Sequence, residues 1–159
     1  MTTISLQPLK ENDLELLMAW RSHPTTYHFF LQQQGPLKWE EHYTFWKNRK
    51  NREDLLIILQ DEEDNGGKRK VGSLNLSALN TSCPEMGILI GETSLHGQGI
   101  GSRAVKLGLD RLKNIDHHRA VASVHKDNHA SQIIFEKNQF ILGENENDLT
   151  WKKYFWKDA

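Results

Sequence analysis

The sequence predicts an α/β fold in which helices pack around one sheet. Three observations carry this. Apolar runs of strand length alternate with amphipathic stretches of helix length, in the order β-α-α-β-β-β-α-β-α-β-β. A turn holding Gly97, Gly99 and Gly101 joins a strand to a helix. The chain has 159 residues, near the common size of one domain and too few for two cores. A single domain over residues 1–159 is therefore expected.

Ile4 to Leu9 alternates as a first strand. Asn12 or Asp13 can cap a helix whose Leu14, Leu17, Met18 and Trp20 form one apolar stripe. Residues 21 to 35, rich in His, Tyr, Phe and Gln, are expected to be irregular. Pro36 to Asn51 predicts a second helix, with Trp39, Tyr43 and Trp46 at helical spacing. Leu55 to Leu59 and Val71 to Leu79 are apolar and β-branched, and Asn65-Gly66 between them signals a hairpin turn. Glu85 to Gly91 is the next strand. The helix after the glycine turn runs to Asn114, with Val105, Leu109 and Leu112 on its apolar side. Arg119 to Val124 has little polarity and predicts a buried strand. Asp127 or Asn128 caps a helix reaching Lys137. Gln139 to Leu142 and Leu149 to Trp156 close the sheet. The last strand carries aromatics on both faces, which suits either a homodimer contact or burial within one domain.

Charged residues make up 26% and apolar ones 37%, the balance of an ordinary folded protein. Net charge is −1, so no broad basic surface for nucleic acid is expected. No apolar run approaches the ~20 residues that span a bilayer. Met1 to Lys10 lacks the basic start and apolar stretch of a secretory signal. A cytoplasmic protein is expected. Cys83, the one cysteine, cannot form an internal disulfide or a cysteine-rich metal site, and no metal is expected.

A strand, a glycine turn and a helix together make an anion site. Backbone N–H groups at a helix start lack intrahelical partners, and the helix dipole adds positive charge there. Glycine removes the Cβ that would hold a phosphate away. A Walker loop requires Gly-Lys-Ser/Thr, which is missing here. A dinucleotide fold requires further β-α repeats, whereas the chain ends in paired strands. Coenzyme A is the third class, and a tight turn that holds no ligand is the alternative.

The text around the turn narrows this. Glu85 to Glu92, followed by HGQGIGSRAVKLGLDRL, resembles the coenzyme-A-binding segment of the GNAT superfamily of N-acyltransferases, with its pattern Q/R-x-x-G-x-G/A. Asn128, Ser131, Phe135, Lys137, Asn138 and Phe140 resemble that superfamily's N-x-x-S/A-x-x-x-Y-x-K-x-G-F signature. The resemblance implies a mostly antiparallel sheet of about seven strands, splayed between the fourth and fifth and flanked by four helices. It implies acetyl-CoA as cofactor, with pantetheine along Ile88, Leu89 and Ile90. Leu89 or Ile90 would offer an N–H to the thioester oxygen. The pyrophosphate would sit on Gly97, Gln98, Gly99, Ile100 and Gly101 beside His96, which stands where Gln or Arg is usual. Asn128, Ser131 and Phe135 would lie on the cofactor side. Asn138 replaces a Gly and would serve as the left-handed helix cap. Phe135 replaces a Tyr that in many relatives protonates the departing thiolate.

Acetyl transfer to an amine also needs a base. Glu85 begins the fourth strand and shares a face with Gly87 and Leu89. His125 ends the fifth strand, and imidazole titrates near ~6.5. Glu92 or ordered water are further candidates. On the acceptor side, Trp20-Arg21, Pro36 to His42, and Phe45-Trp46 resemble the W-R-N and E-E-H patterns of GNAT enzymes that acetylate amino groups on nucleotide-linked sugars. Trp20, Arg21, Tyr27 and Phe30 are the candidate acceptor residues, with Arg21 suited to fork onto a phosphate. Ribosomal-protein N-terminal and polyamine acetyltransferases share the strand-and-turn text. A coenzyme-A-binding module without turnover is the alternative from another class.

Overall fold

Leu55 to Leu59 is an unbroken buried apolar run, and strand geometry divides it between two cores. It lies in β2 (Glu53–Asp61). Leu55, Ile57 and Leu59 enter the larger core, while Leu56 and Ile58 enter a second one. Each such side chain contributes about 1.5–3 kcal/mol on burial. β2 is thus the plane through which two helical layers are held.

The computed structural model describes residues 2–30, 33–63, 67–144 and 149–159. Among them the sheet has seven strands, in the order β1-β2-β3-β4-β5-β7-β6. β1 (Thr2–Pro8), β3 (Lys68–Ser77), β4 (Glu85–Ile90), β5 (Arg119–His125), β6 (Ile141–Leu142) and β7 (Trp151–Lys157) join β2. All pairings are antiparallel except β4 with β5, which is parallel. α1 (Leu14–Arg21) and α3 (Trp39–Asn48) carry Leu14, Leu17, Trp20, Tyr43 and Trp46 onto the second core. α4 (Ile100–Asn114) and α5 (His129–Lys137) cover the other face with Val105, Leu109, Leu112 and Phe135. No helix among the described residues is long and apolar enough to cross a membrane.

The element order and the strand assignments follow the sequence expectation, with differences that have local causes. The stretch from 21 to 35 contains a short helix, α2 (Pro24–Tyr27), begun by Pro24 and the His23 ring, which accepts the Thr25 N–H. This adds a fifth helix to the expected four. α3 begins three residues later than the expected Pro36. Asp13 does stand at the start of the first helix, but its carboxylate reaches back to the Lys10 N–H and pairs with Lys70 at 2.6 Å. Asn138 has φ −99° and is not the left-handed cap; Gln139 takes that conformation at φ 67°. Asn138 instead donates to the Ser102 and Ile134 carbonyls, tying the end of α5 to the first turn of α4. β6 is a two-residue edge strand. Asn65-Gly66 lies outside the described residues, although β2 and β3 pair as the hairpin signal requires.

His42 joins the helices of the second layer, its Nε2 donating to the Leu14 carbonyl at 3.0 Å. Burial holds its pKa below the ordinary 6.5, against the opposing pull of that hydrogen bond. The unfolded chain therefore binds more protons below pH 6.5, and stability falls as pH drops from there toward the lower folded value. The melting temperature should decline through that window, and His42→Gln should flatten that part of the profile. An unchanged slope in the variant overturns the assignment.

Candidate active site

β4 and β5 share one paired position, Glu85 with Val121. The accompanying backbone bond runs from the Val121 N–H to the Pro84 carbonyl at 2.9 Å. Beyond it β4 stays paired to β3 as far as Ile90, and β5 stays paired to β7 as far as His125. The two strands therefore part. Ile88, Leu89 and Ile90 are half-buried along the gap. Counting four residues on from Glu85 and Val121 brings Leu89 and His125 to the same level on opposite sides. Glu85 lies at the closed end, about 13 Å along the strand from Leu89.

The glycine turn continues from the open end of β4. Gly97 and Gly99 both adopt left-handed backbone, φ 82° and 79°. An added Cβ at either would meet nothing within 4 Å, so the turn is an open cradle. Gly99 is the N-cap of α4 and makes no side-chain cap bond. Ile100 is buried, so it presents its backbone rather than its side chain. The His96 Nε2 donates to the Ile90 carbonyl at 3.1 Å, fastening the turn to the strand end, and the Gln98 amide donates to the Ser94 carbonyl. Gly101 differs from its neighbours. A Cβ there would stand 2.5 Å from the Ile134 Cδ1, so this glycine serves the close approach of α4 and α5.

Asn128 caps α5, its Oδ1 accepting the Ser131 N–H at 3.2 Å, which leaves its amide N–H groups for other partners. Phe135 is 2% exposed and packs edge-on to Phe140 at 5.0 Å. It belongs to the larger core. The nearby Tyr154 hydroxyl is itself buried and donates to Glu136.

The acceptor candidates lie across the open end. The Trp20 ring packs on Gly91, where a Cβ would stand 2.3 Å from it. The Arg21 guanidinium sits 4.8 Å over the Phe30 ring. Burial first, then the neighbouring Arg52 charge, lowers the Arg21 pKa. Asp54 is taken up by Arg52 at 2.8 Å and Arg49 at 3.7 Å. The Arg21 Nε and the Gln33 Oε1 are buried without a hydrogen-bond partner among the described residues. Tyr27 is half-buried in α2.

Sequence reasoning missed the surroundings of His125. Its ring meets His28 at 4.9 Å, Phe29 at 5.4 Å and Trp151 at 5.1 Å. Its Nδ1 accepts the Asp127 N–H at 3.1 Å, with the Asp127 carboxylate 3.9 Å away. The neutral ring thus carries its proton on Nε2. His28 and Phe29 are far from His125 in the chain, so no local spacing signals the cluster. The residues from Trp20 to Phe30 therefore touch the ends of both parted strands.

The family model of the acetyltransferase (GNAT) domain matches residues 3–141. An uncharacterized protein of Methanocaldococcus jannaschii is 47% identical over 148 residues, 93% of this chain and 30% of that protein. The chain thus spans less than a third of that relative's length. The acetyltransferase PseH of Campylobacter jejuni is 24% identical over 144 residues, 89% of this chain and 85% of that one. A domain from M. jannaschii superposes with a TM-score of 0.92 at 44% identity, over 99% of both chains. An aminoglycoside acetyltransferase in complex with coenzyme A superposes at 0.80 and 14% identity, over 98% and 95%, a likeness of fold.

The Gly101 contact is testable by itself. Gly101→Ala should destabilise by about 1–3 kcal/mol in urea unfolding, as overpacking does. Adding Ile134→Val, which removes the clashing methyl, should recover part of the loss. Strict additivity of the two changes overturns the explanation.

Proposed function

The chain belongs to the GNAT acetyltransferase family, and on that premise we propose that it is an acetyl-CoA-dependent N-acetyltransferase acting on a primary amine of a small acceptor. An amino group on a nucleotide-linked sugar is the acceptor the site favours. The observation that carries the proposal is the gap between β4 and β5, ending in an open, left-handed glycine cradle at a helix start.

The residues fit the cofactor. Residues 97–99 are exposed, and open space lies where a Cβ at Gly97 or Gly99 would stand; diphosphate suits the free N–H groups of such a helix start. Ile88 to Ile90 offer backbone along the gap, and Asn128 retains amide donors beside it. Acetyl-CoA supplies a thioester whose acyl carbon accepts a nucleophile and whose sulfur leaves as a thiolate, a tolerable leaving group with a thiol pKa of about 8.5. Leu89 or Ile90 donates its N–H to the carbonyl oxygen as charge develops there.

His125 is the favoured base, being level with Leu89. It receives the amine proton on Nδ1, the nitrogen without its own hydrogen, once that lone pair gives up the Asp127 N–H. The Asp127 carboxylate, 3.9 Å from that nitrogen, steadies the charged ring. Glu85, about 13 Å along β4 from Leu89, lies beyond hydrogen-bond reach even through one water and is the weaker candidate. Phe135 has no hydroxyl, and the Tyr154 hydroxyl is committed to Glu136. Departure of the thiolate therefore proceeds without an acid at position 135, either unassisted or with another donor.

Arg21 supports an anionic acceptor. It is a half-buried cation with a buried Nε, and its obvious carboxylate, Asp54, already serves two other arginines. A phosphate would satisfy its Nε, and Trp20, Tyr27 and Phe30 supply ring faces beside it. A polyamine would meet a repelling charge there, and a peptide N-terminus gives Arg21 no required partner. Phe135 favours a second reading, a coenzyme-binding module without turnover.

Acetyl-CoA should raise the melting temperature under both readings, and only the enzyme should release free thiol with an amine panel. No thermal shift at millimolar coenzyme overturns both. Arg21→Ala should raise the acceptor KM at least about tenfold, about 1.4 kcal/mol, while acetyl-CoA affinity stays within about twofold. An unchanged KM removes Arg21 from the acceptor site. His125→Ala should lower kcat by about 10²–10⁴ with little change in coenzyme affinity, and retained kcat rejects it as the base.

A further inference from the structure

We propose that His28, His125 and Asp127 form a binding site for a divalent transition-metal ion of the zinc class, at the mouth of the gap between β4 and β5. One ligand atom from each of the three lies within 4.8 Å of the others. They come from three places: the residue that ends α2, the last residue of β5, and the turn before α5. Two imidazoles and a carboxylate select ions such as Zn²⁺, Co²⁺ and Ni²⁺ over Mg²⁺ and Ca²⁺, which prefer all-oxygen ligands.

The tautomer is the one metal binding requires. Because His125 Nδ1 accepts the Asp127 N–H, its lone pair is already turned toward Asp127, and the ring proton sits on Nε2. A metal ion on Nδ1 takes the place of that amide hydrogen, so the Asp127 peptide must shift away from the ring as the ion binds. His125 is the fixed ligand: it is buried, with the edges or faces of Phe29 and Trp151 against it. Bonds of about 2.0–2.2 Å put tetrahedral ligands about 3.3 Å apart, so the cluster must close by about 1.5 Å. His28 and Asp127 are exposed and can supply that movement by rotamer change.

The site itself does not rest on the acetyltransferase reading; only its consequence does. The ion would occupy the same lone pair that receives the amine proton, and would tie the segment carrying His28 and Phe29 to the end of β5. Zn²⁺ would then act as an inhibitor that closes the acceptor side.

The test is a titration of the chelator-treated full chain with Co²⁺ at neutral pH, followed by the visible absorption of the bound ion, with Zn²⁺ as competitor. A single saturable site that Zn²⁺ empties is expected. His28→Ala and Asp127→Asn should each weaken it at least about tenfold, and circular dichroism should show both variants folded, since both side chains are exposed. Absence of saturation below about 1 mM Co²⁺, or binding by either variant as tight as by the unsubstituted chain, overturns the proposal. No coenzyme or acceptor is present, so failure here and failure of acetyl transfer are separate results.

Discussion

From Met86 to Ile90, β4 runs beside β5 without pairing to it, and that missing ladder is the constraint on which the site depends. Two strands with open backbone edges would ordinarily zip together, because unpaired N–H and C=O groups are costly when water is withdrawn. Here each is held on its far side. β4 is paired to β3 over six positions, and the Val71 carbonyl holds the Gly91 and Glu92 N–H groups just past its end. Val71 is the extra residue where the β2–β3 register shifts, so a bulge in the neighbouring strand β3 helps fix where β4 ends. β5 is paired to β7 over seven positions. Beneath the gap, α4 and α5 approach closely at Gly101 and are cross-tied by Asn138, which holds the glycine cradle in line with the parted strands.

The acceptor side is organised by the same gap. Trp20 presses on Gly91 beyond β4, and His28 and Phe29 meet His125 at the end of β5. One segment thus straddles both strand ends and brings charge and aromatic faces to the mouth. The sequence arranges this with a short helix set by Pro24 and with α1 anchored on the second core. Among the described residues the Arg21 Nε and Gln33 Oε1 are the buried side-chain polar atoms without a partner, and such groups ask for one that those residues do not supply.

Several features were open to inspection of the chain alone. Gly97 and Gly99 sit where left-handed backbone is needed, Asn128 caps its helix, and Val105, Leu109 and Leu112 face the core of α4. Each depends on residues one to four positions apart, which periodicity and capping chemistry expose. Asn138 misled because the consensus glycine implies a left-handed residue there. The chain shifts that conformation to Gln139 and uses the Asn138 amide as a brace. Gly101 also lies against the Ile134 side chain of another helix, a contact that its place in the turn does not announce.

The sequence by itself determined the strands and helices, their order, and the turn able to receive an anion, because backbone preference and apolar periodicity act over a few residues. The tertiary structure decided which way Phe135 points, that Arg21 loses Asp54 to Arg49 and Arg52, and that His28 and Asp127 converge on His125. Those outcomes depend on which surfaces meet once the two cores have formed. Contacts between segments so distant in the chain leave no periodic trace along it.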